Sequence, residues 1–326
     1  MSKMNMVQAI NLALKQEMEK DRDVIVMGED VGVDGGVFRV TDGLHAQFGE
    51  ERVIDTPLAE SGILGTAIGM ALGGLKPVAE IQFSGFSHLM DAQLEGHASR
   101  YRSRTQGERH VPLVVRMPYG AGVRALEHHS ESRETLYAHV PGVKVVIPST
   151  PRNARALMVS AIRDPDPVVF MEPKRSYRAF KEEVPDGEET FPIGKADIVQ
   201  TGTELTVVSW GAMMRPTLKA AELLKEKKGT SIEVIDVLTL APMDGTTITR
   251  SVRKTGRCVV VQEAPKSLGP AAEIIARINE HALLYLEAPV ARVSQPDVVT
   301  PYFAREQLYM PGPARIGRAM EQALDF

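Results

Sequence analysis

Asp55-Thr56-Pro57-Leu58-Ala59-Glu60-Ser61 is the stretch on which the reading of this chain turns. Arg52-Val53-Ile54 before it reads as the end of a short buried strand, and Gly62 to Gly74 after it as an apolar helix. Glu60 therefore stands at a strand-to-helix turn, where an open α/β sheet holds its ligand. On position alone, the plainer account is a first-turn acid facing the helix dipole. The motifs around it change that account.

Toward the N-terminus, residues 5–19 form an amphipathic pattern, with Met6, Ile10, Ala13, Leu14 and Met18 on one face. Val24-Ile25-Val26-Met27 is a continuous apolar run, as a strand in a covered parallel sheet requires. The glycine-rich loop after it, through Gly32, Gly35 and Gly36, lacks both the dinucleotide spacing and a Gly-Lys-Ser/Thr ending, so it is not read as a phosphate cradle. Within helix 62–74, Gly65, Gly69 and Gly73 recur every fourth residue. Each costs about 1 kcal/mol relative to alanine, which points to a close helix contact of the kind formed between subunits.

Further along, residues 77–83 read as a strand, about 87–103 as a helix with a basic, solvated end at Arg100–Arg104, and 111–116 as a strand. A long polar loop, Pro118 to Arg133, carries His128 and His129. Strand 143–147, helix 151–163 and strand 167–172 follow. Repeated strand–helix units imply a parallel, doubly wound sheet. Residues 173–195 are charged and aperiodic, as a connector is. A second series then runs through strands 205–210, 231–237, 257–262 and 290–294 and helices 214–227, 243–254, 269–282 and 313–324. The expected organisation is an α/β domain over 1–180, a linker over 181–195 and a smaller α/β domain over 196–326.

The 326 residues suffice for two domains with their own cores. A net charge of -4 gives no reason to expect nucleic acid. The single cysteine, Cys258, sits in an apolar strand and cannot form an internal disulfide. The N-terminus lacks a secretory or transit pattern, and Ile63 to Leu75 is too short for a membrane span, so a cytoplasmic setting is expected. No Gly-x-Ser-x-Gly elbow or His-Glu-x-x-His pair occurs, and adjacent His128 and His129 suit metal chelation poorly.

Three segments occur in order: Val53-Ile54-Asp55-Thr56-Pro57-Leu58-Ala59-Glu60, Glu80-Ile81-Gln82-Phe83 with Phe86, and Glu127-His128-His129-Ser130. Together they resemble the signature of beta subunits of thiamine-diphosphate-dependent 2-oxo acid dehydrogenases. The resemblance extends through Met27-Gly28-Glu29-Asp30-Val31-Gly32 and Pro141 to Pro148. It reaches the second domain at Gln262-Glu263-Ala264 and Leu286-Glu287-Ala288-Pro289-Val290, so that it covers essentially the whole chain. It implies a pyrimidine-binding α/β domain followed by a transketolase-like C-terminal α/β domain.

The resemblance also implies roles. Glu60 would hydrogen-bond a ring nitrogen of the cofactor's aminopyrimidine, favouring the tautomer that activates the thiazolium carbon. Phe86 would stack on the pyrimidine face, with Gln82 as a polar neighbour. His129, aligned with the family's active-site histidine, would orient or protonate the reacting group and guide the lipoyl arm; His128 is the weaker candidate. The family's Gly-Asp-Gly…Asn motif, which binds diphosphate and magnesium on the alpha subunit, is missing here. An alpha partner in an α2β2 heterotetramer is therefore expected, with the active site at the subunit interface. A lipoyl acyltransferase is expected as a further partner through its peripheral subunit-binding and lipoyl domains. A structural potassium ion would be held by backbone carbonyls near Val111, Leu113, Val114, Ala161, Asp164 and Asp166. Similarity along the chain leans to pyruvate as substrate. Glu172-Pro173-Lys174 with Tyr177-Arg178 is equally at home in branched-chain enzymes, and an acetoin dehydrogenase subunit is a further alternative. From another class, a non-catalytic subunit of the electron-transfer-flavoprotein type would have no need of Glu60.

Overall fold

Asn5 starts the first helix, α1 (Met6–Lys20): its side chain accepts the Gln8 N–H at 3.0 Å, and the Gln8 side chain accepts the Asn5 N–H at 3.1 Å. Two orphan donors are thereby satisfied at once. The computed structural model describes residues 1–326, which divide into two units. Unit 1 is Met1–Tyr119 with Leu136–Ile193, and unit 2 is Gly120–Thr135 with Gly194–Phe326.

Unit 1 contains β1 (Ser2–Met4), β2 (Val24–Gly28), β3 (Val53–Asp55), β4 (Lys76–Glu80), β5 (Val114–Tyr119), β6 (Lys144–Val146), β7 (Val168–Pro173) and β8 (Glu182–Val184). Within the unit the sheet runs β6-β7-β5-β4-β2-β3, every pair parallel. β2, β5 and β7 are buried at every position, which explains the unbroken apolar run Val24–Met27 of β2, while β5 and β7 each bury one charged residue, Arg116 and Glu172. The unit's helices are α1, α2 (Leu44–Phe48), α3 (Glu60–Leu72), α4 (Asp91–Gly96), α5 (Tyr101–Arg104) and, after α6 (Glu134–Ala138) where the chain returns from unit 2, α7 (Pro151–Ile162). α1 packs on α7, which repeats the capping arrangement with Thr150 and Asn153.

Two expectations need correction here. The helix read over 87–103 is broken into a 3-10 turn (Ser84–Leu89), α4, a second 3-10 turn (Ala98–Arg100) and α5, because the backbone leaves helical geometry at His97, after Gly96. Its basic end is not merely solvated, since Arg102 Nε binds Asp166 at 2.6 Å. The linker expected over 181–195 is largely part of unit 1. β8 pairs antiparallel with β1, Ser2 opposite Val184, while Glu188 binds Lys20 at 2.8 Å and Glu189 binds Arg152 at 2.6 Å.

Unit 2 contains β9 (Asp197–Gln200), β10 (Leu205–Ser209), β11 (Ile232–Asp236), β12 (Thr239–Ala241), β13 (Cys258–Pro265) and β14 (Ala291–Gln295). Its helices are α8 (Met214–Lys228), α9 (Gly245–Thr255), α10 (Pro270–Ala282), α11 (Glu306–Tyr309) and α12 (Pro313–Leu324). The sheet order is β14-β13-β10-β11-β9, parallel except for the edge strand β9. Val207, Val259, Ile316 and Met320 lie in its core, and so does Ala121 from the excursion 120–135. Burial alone pushes the Cys258 thiol up to about 12, so it is inert packing. No helix is long and apolar enough to cross a membrane.

Candidate functional site

β2 lies between β3 and β4, so the chain crosses to one side of it and then to the other. That is a topological switch point, and the carboxyl ends of such strands frame a crevice. Each candidate residue of unit 1 follows one of those ends. Glu29 and Asp30 follow β2, Glu60 follows β3, and Gln82 and Phe86 follow β4.

Glu60 is the first residue of α3 rather than part of the turn before it, and is only 4% exposed. Its Oε2 is buried with no hydrogen-bond partner. A desolvated carboxylate oxygen without a donor is costly, so the position calls for a donor from a bound group. Glu29, half-buried nearby, has its carboxyl pushed above the usual range, chiefly by burial and then by the charges of Asp30 and Glu60. The Gln82 side-chain amide donates to Asp30 Oδ2 at 3.2 Å. Phe86 sits half-buried in the 3-10 turn, edge-on to Phe83 at 5.7 Å. Phe83 is in turn edge-on to Phe38 at 5.5 Å, with Lys174 Nζ 5.3 Å from its ring centre.

The glycine-rich loop holds no phosphate-shaped row of free amides. Asp55 already takes the Gly32 N–H at 2.5 Å and the Val33 N–H at 3.1 Å. Gly28, at φ +154, lies so close to β4 that a Cβ there would stand 2.8 Å from the Glu80 carbonyl oxygen.

Beneath the site lies an ionic cluster that the reading of the sequence missed. Arg116 on β5 grips Glu172 on β7 through Nε and Nη2, both at 2.8 Å, and reaches Glu80 on β4 through Nη1. The Tyr177 hydroxyl donates to Glu172. All four side chains are almost wholly inaccessible. Burial first, and the Glu172 charge as well, push the Glu80 carboxyl up despite Arg116. Burial and Glu172 likewise raise the Tyr177 hydroxyl well above its ordinary value. Glu80, which opens the Glu80-Ile81-Gln82-Phe83 motif, is therefore structural. Strand register alone could have signalled this, since Glu80 faces Arg116 across neighbouring strands.

His128 and His129 belong to unit 2, in the loop that leaves the end of β5. Their rings are 6.2 Å apart at 82° to each other, and both are half-buried. Glu134, at the far end of the same excursion, is fully buried with both oxygens unpaired. Desolvation, with a smaller push from Glu263, raises its carboxyl to about 7. Trp210 is close enough to oppose that rise, although its Nε1 makes no hydrogen bond.

The segments named for potassium are neighbours in unit 1. The Val168 N–H donates to the Leu113 carbonyl at 2.9 Å, and Val114 pairs with Val168. The Ala161 carbonyl, at the end of α7, accepts the Asp164 N–H at 3.3 Å. The Asp164 and Asp166 side chains are engaged by Lys144 and Arg102.

Comparison with known proteins matches residues 2–179 to the family described as "Transketolase, pyrimidine binding domain" and residues 194–316 to "Transketolase, C-terminal domain". The chain is 52% identical to the pyruvate dehydrogenase E1 component subunit beta of Acholeplasma laidlawii, covering 97% of this chain and 96% of that one. It is 50% identical to the protein of the same name from Bacillus subtilis over the full length of both. A solved structure titled "Split gene transketolase, inactive beta4 tetramer" superposes with a TM-score of 0.81 at 22% identity, covering 99% of each chain, and so shares the fold.

Proposed function

The chain belongs to the family of pyruvate dehydrogenase E1 component beta subunits, and on that premise we propose that it forms the pyrimidine-gripping half of a thiamine-diphosphate site completed by an alpha subunit. The observation that carries this reading is the unpaired, buried Oε2 of Glu60 at the switch point. An aminopyrimidine ring nitrogen that shares a proton with that oxygen satisfies it. Phe86 offers an aromatic surface for the ring, and Gln82, tethered to Asp30, a polar neighbour. When bound, the cofactor supplies a carbon nucleophile for the 2-oxo acid and an electron sink for loss of carbon dioxide. His129 moves a proton at the substrate oxygen and guides the lipoyl sulfur, with His128 the weaker candidate for that role.

The chain carries no Gly-Asp-Gly…Asn motif, so diphosphate and magnesium fall to the alpha subunit of an α2β2 assembly. The acyl group then passes to the lipoyl domain of an acyltransferase, whose peripheral subunit-binding domain docks on the complex. Pyruvate is the substrate this family membership favours. A structural potassium ion would be held by the backbone carbonyls of Val111, Leu113, Val114, Ala161, Asp164 and Asp166, and not by the two aspartate side chains, which are committed to Lys144 and Arg102.

Co-expression with the alpha subunit, followed by assays against pyruvate and 3-methyl-2-oxobutanoate, tests the reading. Pyruvate should be turned over faster, and only with both chains, thiamine diphosphate and magnesium present. Decarboxylation of pyruvate by this chain alone would refute the divided site.

A further inference from the structure

The histidine loop is fastened by two buried carboxylates of unit 2. Glu306, at the start of α11 and 2% exposed, accepts the Gly122 N–H on Oε1 at 2.8 Å and the Arg124 N–H on Oε2 at 3.0 Å. Gly122 has φ +96 and Arg124 φ +59, the left-handed region that a bulky side chain rarely occupies. Such turns point neighbouring N–H groups into one concavity, which suits an anion. The anion here is the protein's own.

Glu263, also 2% exposed, accepts the Ala121 N–H at 2.6 Å. Gly120, at φ +88, passes so close that a Cβ would stand 2.5 Å from the same oxygen. The two ends of the loop are joined by the Gly120 N–H to the Glu131 carbonyl at 3.0 Å. Ser130, next to His129, points its hydroxyl at the carbonyls of Ala125 and Leu126, each at 2.7 Å. These bonds extend no helix or strand ladder. They fix the frame on which His128 and His129 stand.

We propose that Glu306, seconded by Glu263, is a positioning residue: by clasping the amides at the entry of the loop it holds the His129 imidazole where the reaction needs it. The proposal rests on the reading that His129 acts in that reaction. Glutamine at 306 would turn an NH2 toward one of the two N–H groups, opposing donor to donor and releasing that half of the clasp.

The test uses the enzyme assembled with its alpha subunit, thiamine diphosphate and magnesium. Wild type, E306Q, H129A and the double variant are compared in pyruvate-dependent acylation of a lipoyl domain. Amide hydrogen exchange of residues 120–135 is followed in parallel. E306Q should acylate at least about tenfold more slowly, and the Gly122 and Arg124 amides should exchange at least about tenfold faster. The double variant should be no more than about twofold slower than H129A, because the clasp acts through the histidine. A wild-type rate in E306Q, or the same loss recurring undiminished in the H129A background, overturns the positioning role while H129A remains slow. A wild-type rate in H129A removes the histidine's own role and this proposal with it, an outcome that E306Q alone cannot mimic. If E306Q does not assemble, Glu263→Ala, which removes the acceptor of the Ala121 amide, is judged by the same criteria with Ala121 as the amide followed.

Discussion

Glu60 and Glu134 are both buried carboxyls without a protein hydrogen-bond donor on their free oxygens, yet they sit in different company. Glu60 stands at the sheet's switch point, whereas Glu134 lies near Trp210 and Glu263. Glu60→Gln keeps the shape and removes the shared proton. Activity of the assembled enzyme should fall by about 100-fold or more with the melting temperature unchanged, and full activity in that variant would refute the assigned role. For Glu134 the consequence is pH-dependent stability. Unfolded, the carboxyl titrates near 4.5, and folded it titrates near 7. Below pH 4.5 both states hold the proton, and between the two values only the folded state does. Stability therefore declines as pH rises through this window, by a total of order 3 kcal/mol. Urea unfolding at pH 5 and pH 8 should show that decline in the wild type and a smaller one in Glu134→Gln; equal declines would sink the assignment. Arg116 gives a third residue-scale expectation. Arg116→Met leaves Glu80 and Glu172 buried without their cation, which should cost about 3–5 kcal/mol near neutral pH. The loss should shrink in acid, as the Glu80 carboxyl, already pushed up by burial, takes up a proton.

At the scale of elements, α3 shows what a face without a partner looks like. Gly62, Gly69 and Gly73 are exposed, and a Cβ on Gly69 would meet nothing within 4 Å. Gly65 faces Gln93 at ordinary contact distance. The glycine spacing was legible in the sequence, and within the chain Gly65 alone of the 65/69/73 row meets a side chain of another element. Gly69→Leu should therefore leave the isolated chain as stable or up to about 1 kcal/mol more stable, since leucine favours helix over glycine. Assembly with the alpha subunit should weaken, measured by sedimentation of the mixed chains; undisturbed assembly would show that this face is not a seam. Other elements were illegible for local reasons. β1 and β8 are three residues each, too short for a period of two to show, and their pairing spans the whole of unit 1. The helix read over 87–103 failed because a single departure at His97 interrupts an otherwise helical composition.

For the whole molecule, the two α/β series and their order were readable because buried parallel strands and amphipathic helices have distinct periods. Glu60, Gln82, Phe86 and His129 were singled out by motif. No role was read for Arg116, Glu263 or Glu306, because a charged residue in an apolar strand or an irregular tail signals burial only once its distant partner is known. The excursion from Gly120 to Thr135 was equally hidden. It was read as a loop of the first domain and folds with the second.

That excursion constrains how the polypeptide is made. The amides of Ala121 and Gly122 meet their acceptors 142 and 184 residues later in the sequence. A ribosome that has completed the first sheet has therefore still to synthesise what secures the histidines. A gene severed near codon 193 would yield one product holding all of unit 1 together with the stretch 120–135, and a second that lacks that stretch of unit 2, so any working protein from them would have to supply those sixteen residues across the cut.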